Sequence, residues 1–172
     1  MKYPQSSYVF NGITVTNTWI KDSKISKYHP VTQVYGVVFN DSGEILIARE
    51  SSDNKWQIPG GTPESNENPA NTLKRELKEE VDVEVNELIP LGVQKTKMPG
   101  NPNKKIGDLF YQVRYIALLD KLLLQTPDPD RGNVWERKFI NSSKITETIN
   151  WGSAGDAMFK DAINLFKSIK NG

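Results

Sequence analysis

An α/β or α+β fold built on a mixed β-sheet follows from three features of this chain. Segments rich in Val, Ile, Tyr and Phe flank one strongly periodic helix, a second helical stripe closes the chain, and no repeat of solenoid length occurs. The 172 residues suffice for one ordinary hydrophobic core, and no low-complexity stretch divides them. Residues 1–172 are therefore expected to form a single domain, with an N-terminal strand extension and a C-terminal helix.

Taken in order, ITVTNTWI (13–20) mixes β-branched and polar residues and predicts an early strand. VTQVYGVVFN predicts a more buried one, and DSG then EILIAR complete a hairpin across residues 40–43. Residues 51–67 hold turn formers around WQI and a Gly60–Gly61 pair that can approach a bound group or adopt positive φ. Asn68 supplies a cap, Pro69 fits the first helical position, and Ala70, Leu73, Leu77 and Val81 recur with the helical period. VEVNELIPLGVQ and LFYQVRYIALL predict two further strands around a basic, flexible loop at 95–108. VWERKFI predicts a last strand after the loop TPDPDRGN, and residues 155–169 predict the closing helix.

Charge and composition exclude several functions. Lysine plus arginine number 22 and aspartate plus glutamate 21, so no global field favours long nucleic acid or a membrane surface. With no cysteine and a single histidine, His29, a metal here needs oxygen ligands. The N-terminus lacks the apolar core of a secretory signal and no run is long enough to span a bilayer, which predicts a cytoplasmic protein.

Within the periodic helix, TLKRELKEEVDV concentrates negative charge. Glu76 and Glu80 stand about 40° apart around the axis and Glu79 about 60° to the other side of Glu76, so all three can share a neighbourhood. A solvated acidic face is the ordinary reading of such a run. The glycine-containing loop PGGTPE immediately upstream supports another, in which loop oxygens and helix carboxylates converge on a magnesium or manganese ion.

The same residues carry a more specific pattern. GTPESNENPANTLKRELKEEVDV, Gly61 to Val83, resembles the signature of the Nudix hydrolases, with Gly61, Glu67, Arg75, Glu76, Leu77, Glu79, Glu80 and Val83 at matching positions and Asp82 in place of a glycine. The resemblance implies an α/β/α sandwich and metal-dependent hydrolysis of a nucleoside diphosphate derivative by water attack at phosphorus. It implies Mg2+ or Mn2+ held by Glu76, Glu79 and Glu80, with Gly60 or Gly61 adding a loop carbonyl, and Glu80 as the strongest ligand. Glu76 either binds metal or activates water, and Glu67 with Arg75 forms the ion pair that fixes the loop against the helix. Substrates in such a family extend from nucleoside triphosphates and nucleotide sugars to dinucleoside polyphosphates and capped RNA ends; near-neutral charge favours a small nucleotide. The alternative from another class is an inactive nucleotide-sensing or protein-binding module, and a homodimer is also expected.

Smaller expectations attach to single residues. Glu136 is a candidate late acid, catalytic or metal-binding, against a salt-bridged strand residue; Asp108 is a weaker one. Trp56, Lys97 and Lys105 are candidate substrate contacts, with packing and solubility as the ordinary readings. Asp82, at the helix exit, predicts a left-handed backbone conformation that aspartate tolerates, one that replacement by glycine would relax.

Overall fold

The computed structural model describes residues 3–172. Eight strands form one mixed sheet: β1 (Gln5–Phe10), β2 (Ile13–Lys21), β3 (Val31–Phe39), β4 (Glu44–Arg49), β5 (Gly60–Gly61), β6 (Val83–Lys97), β7 (Leu109–Leu122) and β8 (Glu136–Asn141). Their order is β1-β2-β6-β7-β3-β4-β8, with the short β5 also against β3. Every pairing is antiparallel except β3 with β7, which makes the sheet mixed as expected. Helix α1 (Pro69–Val81) covers one face, while α2 (Ile145–Thr148) and α3 (Gly152–Lys170) cover the other.

Alternation along the strands sorts the core into these two layers. Ile45 and Ile47 pack with Phe159, Ala162 and Phe166 on the α3 side, whereas Leu46 and Ala48 pack with Leu73, Leu77 and Val81 on the α1 side. Both faces are buried, which is why β3 and β4 read as nearly continuous apolar runs. The sequence thus specifies an α/β/α sandwich through strands with two covered faces and helices with one apolar stripe each.

Three local features depart from the sequence reading. The polar, largely exposed QSSYVF forms β1, recruited by a hairpin at Asn11 and Gly12, whose φ angles are 49° and 78°. That geometry suits the right-handed twist of the flanking strands, and the Asn-Gly pair was the signal for it. The expected basic loop begins later, because Lys95 and Lys97 belong to β6. Its remainder is knitted together: Asp108 accepts from Gly100 N at 3.1 Å and Asn101 N at 3.2 Å, and the Asn101 amide donates to Gly107 O at 2.7 Å. Asp108 is engaged in closing this loop.

Candidate active site

Helix α1 starts where the sequence indicates, with Asn68 Oδ1 accepting from Asn71 N at 2.9 Å and Pro69 in the first turn. Its apolar stripe fixes the rotation, so Leu73, Leu77 and Val81 face the sheet and the glutamates are aimed at the preceding loop. That loop closes on the helix because it contains glycine. Gly60 has φ 146°, and a Cβ there would stand 2.2 Å from Val34 O. A Cβ on Gly61 would stand 2.3 Å from Glu76 Oε1, so only glycine leaves room for the carboxylate against the backbone.

Arg75 ties the loop down. Its Nε and Nη2 donate to the two oxygens of Glu67, each at 3.1 Å, and Nη2 also donates to Thr62 O at 3.0 Å. The paired guanidinium is the main cause that holds the Glu67 carboxyl at a pKa of about 2, assisted by Glu64 N and the Thr72 hydroxyl. The remaining Nη1 stands between Glu76 Oε1 at 3.1 Å and Glu79 Oε2 at 3.0 Å.

Behind this pair, Glu80 is buried and accepts from Gly60 N at 3.1 Å. Burial drives its pKa up to about 8, and the negative charges of Glu76 and Asp128 add to the rise against the Gly60 hydrogen bond. Glu76, half-buried, is shifted the same way by desolvation, which Arg75 opposes. Arg75 compensates Glu76 only in part, and Glu80 has no ion-pair partner among the described residues. Among the described residues no three His, Cys, Asp or Glu side chains are arranged to hold a metal ion as they stand. The donors nevertheless fit one: they are all carboxylate oxygens, held against a glycine cradle, with an excess of negative charge.

The glutamates line a cavity of about 510 Å³ together with Tyr35, Gly60, Gly61, Asp128 and Arg131. Glu50, Asp53, Glu64, Asp128 and Asp130 join the three helix carboxylates there, against Arg75 and Arg131 alone. Asp128 and Glu50 were not legible as site residues. Asp128 is buried and accepts from Asp130 N at 2.8 Å, Arg131 N at 3.1 Å and Trp135 Nε1 at 3.1 Å, which closes this turn, while Thr126 ties the segment to Asp82 at the end of the helix. Arg131 reaches Glu50 at 2.7 Å across the cavity wall. An Asp beside a turn is too common to single out without that tertiary fold-back.

The remaining candidates lie elsewhere. Glu136 pairs with Arg49 in the β4–β8 ladder and is held by it at 2.8 Å, pointing to the sheet face opposite α1, so it does not join the carboxylates. Trp56 lies between Arg49 and Lys138, whose cationic groups are 4.7 and 4.2 Å from the indole, and packs on the α3-side core. Lys97 and Lys105 are exposed and do not line this cavity. Strand alternation places Glu136, and the extension of β6 to residue 97 places Lys97.

A glycine loop, a clamped arginine and three glutamates on one helix flank this cavity, and the family model of the NUDIX domain matches residues 29–154, most of the chain. The chain belongs to the Nudix family. The Nudix match spans every element that builds the cavity, and no helix among the described residues is long and apolar enough to cross a membrane. An RNA pyrophosphohydrolase of Halorhodospira halophila is 41% identical over 91 residues, 51% of this chain and 50% of that protein. A MutT-like protein of Streptomyces ambofaciens is 39% identical over 69 residues, covering 39% and 44% of the two chains. The chain thus spans about half the length or less of these curated relatives. Among solved structures, a pyrophosphohydrolase of Bacillus subtilis superposes over 95% of this chain and 97% of its own, with a TM-score of 0.64 at 19% identity. An Ap4A hydrolase of Caenorhabditis elegans does so over 81% and 99%, with a TM-score of 0.59 at 15% identity. These likenesses establish the Nudix sandwich.

Proposed function

We propose that this Nudix protein is a divalent-metal-dependent pyrophosphohydrolase acting on a small nucleotide. The buried Glu80 in an acid-lined cavity, one turn along α1 from Glu76 and with both carboxylates held against the Gly60–Gly61 pair, is the observation that carries the reading. Glu79 and Glu80 would anchor Mg2+ or Mn2+, with Glu76 completing the set from the loop side beside Gly61. When bound, the ion supplies charge neutralisation for the polyphosphate, polarisation of its oxygens and acidification of a water.

The chain's own residues do the rest. Glu76, set beside Gly61 in the cavity, can hold the attacking water through one hydrogen bond and take its proton as the new oxygen–phosphorus bond forms. Arg75 keeps Gly61 and Thr62 against the helix through Glu67, which fixes the water's position relative to the phosphorus. Arg131, held at the rim by Glu50, offers positive charge to a phosphate oxygen. The names of the curated relatives, RNA pyrophosphohydrolase and MutT-like protein, support phosphoanhydride chemistry.

The test combines turnover with binding. Wild type, Glu76→Gln and Glu80→Gln are compared on a panel of nucleotides with Mg2+ or Mn2+, and the rise in Tm on adding the ion is measured for each. Glu80→Gln is expected to lose both turnover, by at least about a hundredfold, and the ion-induced rise. Glu76→Gln is expected to lose turnover while keeping most of the rise. Equal turnover in all three proteins would reject the assignment.

A further inference from the structure

A second cavity, of about 560 Å³, adjoins the acidic one and shares Gln33, Tyr35 and Gln57 with it. Its lining is chemically different, holding amides, hydroxyls and aromatic rings with Arg114 as the single charged side chain. Arg114 on β7 is fully buried. Its Nη1 donates to Val113 O at 3.3 Å and Nη2 to Gln112 Oε1 at 2.8 Å, but Nε has no partner. The Tyr35 and Trp151 rings lie 4.6 and 5.6 Å from the guanidinium, and no carboxylate lines the cavity. A buried donor without an acceptor is costly to leave unmatched, and the guanidinium that carries it lines ligand-sized space.

The neighbouring amides narrow the ligand. Gln33, Gln112 and Gln94 sit side by side across β3, β7 and β6, forming a row in which Gln94 Nε2 donates to Gln112 Oε1 at 3.3 Å. Side-chain amides offer donors and acceptors together, which matches the edge of a nucleobase. A phosphate would meet one cation and a row of neutral groups, so the phosphates belong in the adjoining acidic cavity with its ion.

Resting on the nucleotide-hydrolase reading above, we propose that this pocket receives the substrate's nucleobase and selects a keto base through Arg114. A 6-oxopurine presents its carbonyl oxygen and ring nitrogen to an arginine, whereas adenine presents an amino group that sets donor against donor. Tyr35 lies between the two cavities, so the base and the reacting phosphates occupy neighbouring compartments of one substrate.

Inosine and adenosine nucleotides differ chiefly at this position and provide the test. With the full chain and Mg2+, kcat/KM for ITP is expected to exceed that for ATP by about tenfold to a hundredfold. Calorimetry without turnover is expected to rank IMP above AMP. Arg114→Gln removes the preference in both assays. Gln112→Met, which releases Nη2 while leaving Arg114 in place, reduces the preference and serves if Arg114→Gln does not fold. Turnover with no ITP-over-ATP preference, or a preference that survives both substitutions, overturns the pocket assignment and leaves the hydrolase reading standing. Selective IMP binding without turnover of any nucleotide does the reverse, and absence of both overturns both.

Discussion

Asp82 shows how a single residue answers to two demands. Its φ of 47° and ψ of 50° place it in the left-handed region as it ends α1, as expected for a position where relatives of the signature use glycine. The carboxylate, however, has its own work: Oδ2 accepts from Thr126 N at 2.9 Å and Oδ1 from the Thr126 hydroxyl at 2.7 Å. Left-handed backbone costs an L-residue roughly 1–2 kcal/mol, and aspartate less than most. Each hydrogen bond to a carboxylate contributes about 1.5–3 kcal/mol. Loss of the side chain therefore outweighs relief of the backbone, reversing the sequence-based expectation for glycine. Asp82→Gly is predicted to lower stability by about 1–3 kcal/mol in denaturant titration, while Asp82→Asn, which keeps an acceptor and tolerates the same φ, stays within about 1 kcal/mol.

At the scale of the element, α1 is secured at both ends by charged groups. Near its start, Glu67 titrates at about 2 against an ordinary 4.5 because Arg75 binds it. A carboxyl depressed in the folded state stabilises fully above its unfolded value and loses that contribution as pH falls toward the folded one. Glu67→Gln is thus predicted to separate from wild type in Tm at pH 6 and to converge with it between pH 4.5 and about 2. At the other end, Arg137 from β8 donates to the carbonyls of Val81, Asp82 at 2.9 Å and Leu123 at 2.6 Å. The first two are carbonyls that the end of α1 leaves open, and the third ties the chain just beyond β7 to the same guanidinium. Arg137→Ala should cost about 1–3 kcal/mol by denaturant titration and weaken the cation-induced rise in Tm, since Glu79 and Glu80 lie in that last turn. A return of both on Arg137→Lys would locate the effect in the charge alone rather than in the planar fork.

On the scale of the molecule, a formal net charge of +1 conceals a sharply acidic cavity. On the proposed reading, a polyphosphate would meet repulsion there until cations entered, so ion and nucleotide binding would be mutually dependent. The second cavity has its own dependence on long-range structure. Strand β1 contributes Ser6, Ser7 and Tyr8 to its wall and is tied to the segment before α3 by the Ser6 hydroxyl on Trp151 O at 3.0 Å. Removing residues 1–11 is predicted to lower Tm by roughly 5–10 °C and to erode the ITP preference. The cation-induced rise in Tm should persist, because β3, β5 and α1 build that site; its loss would show that the two cavities fold as one unit.

Legibility in the sequence followed the range of the interaction. Helix α1 could be read closely because its cap, its proline and its stripe at 73, 77 and 81 are local, and the period that buries the stripe also collects Glu76, Glu79 and Glu80. Strands β3, β4, β6 and β7 were visible through their branched and aromatic runs, whereas β1 was hidden because pairing with β2, not burial, makes it a strand. The sequence by itself determined the two-layered covering of a mixed sheet and the acidic helix behind a glycine loop. Only the tertiary structure brought Asp128 and Glu50 to that helix, sent Glu136 to Arg49 on the opposite face, and enclosed Arg114 among amides and rings. The physical reason is that helix periodicity is written within a few residues, while strand register and loop return are settled by partners far along the chain.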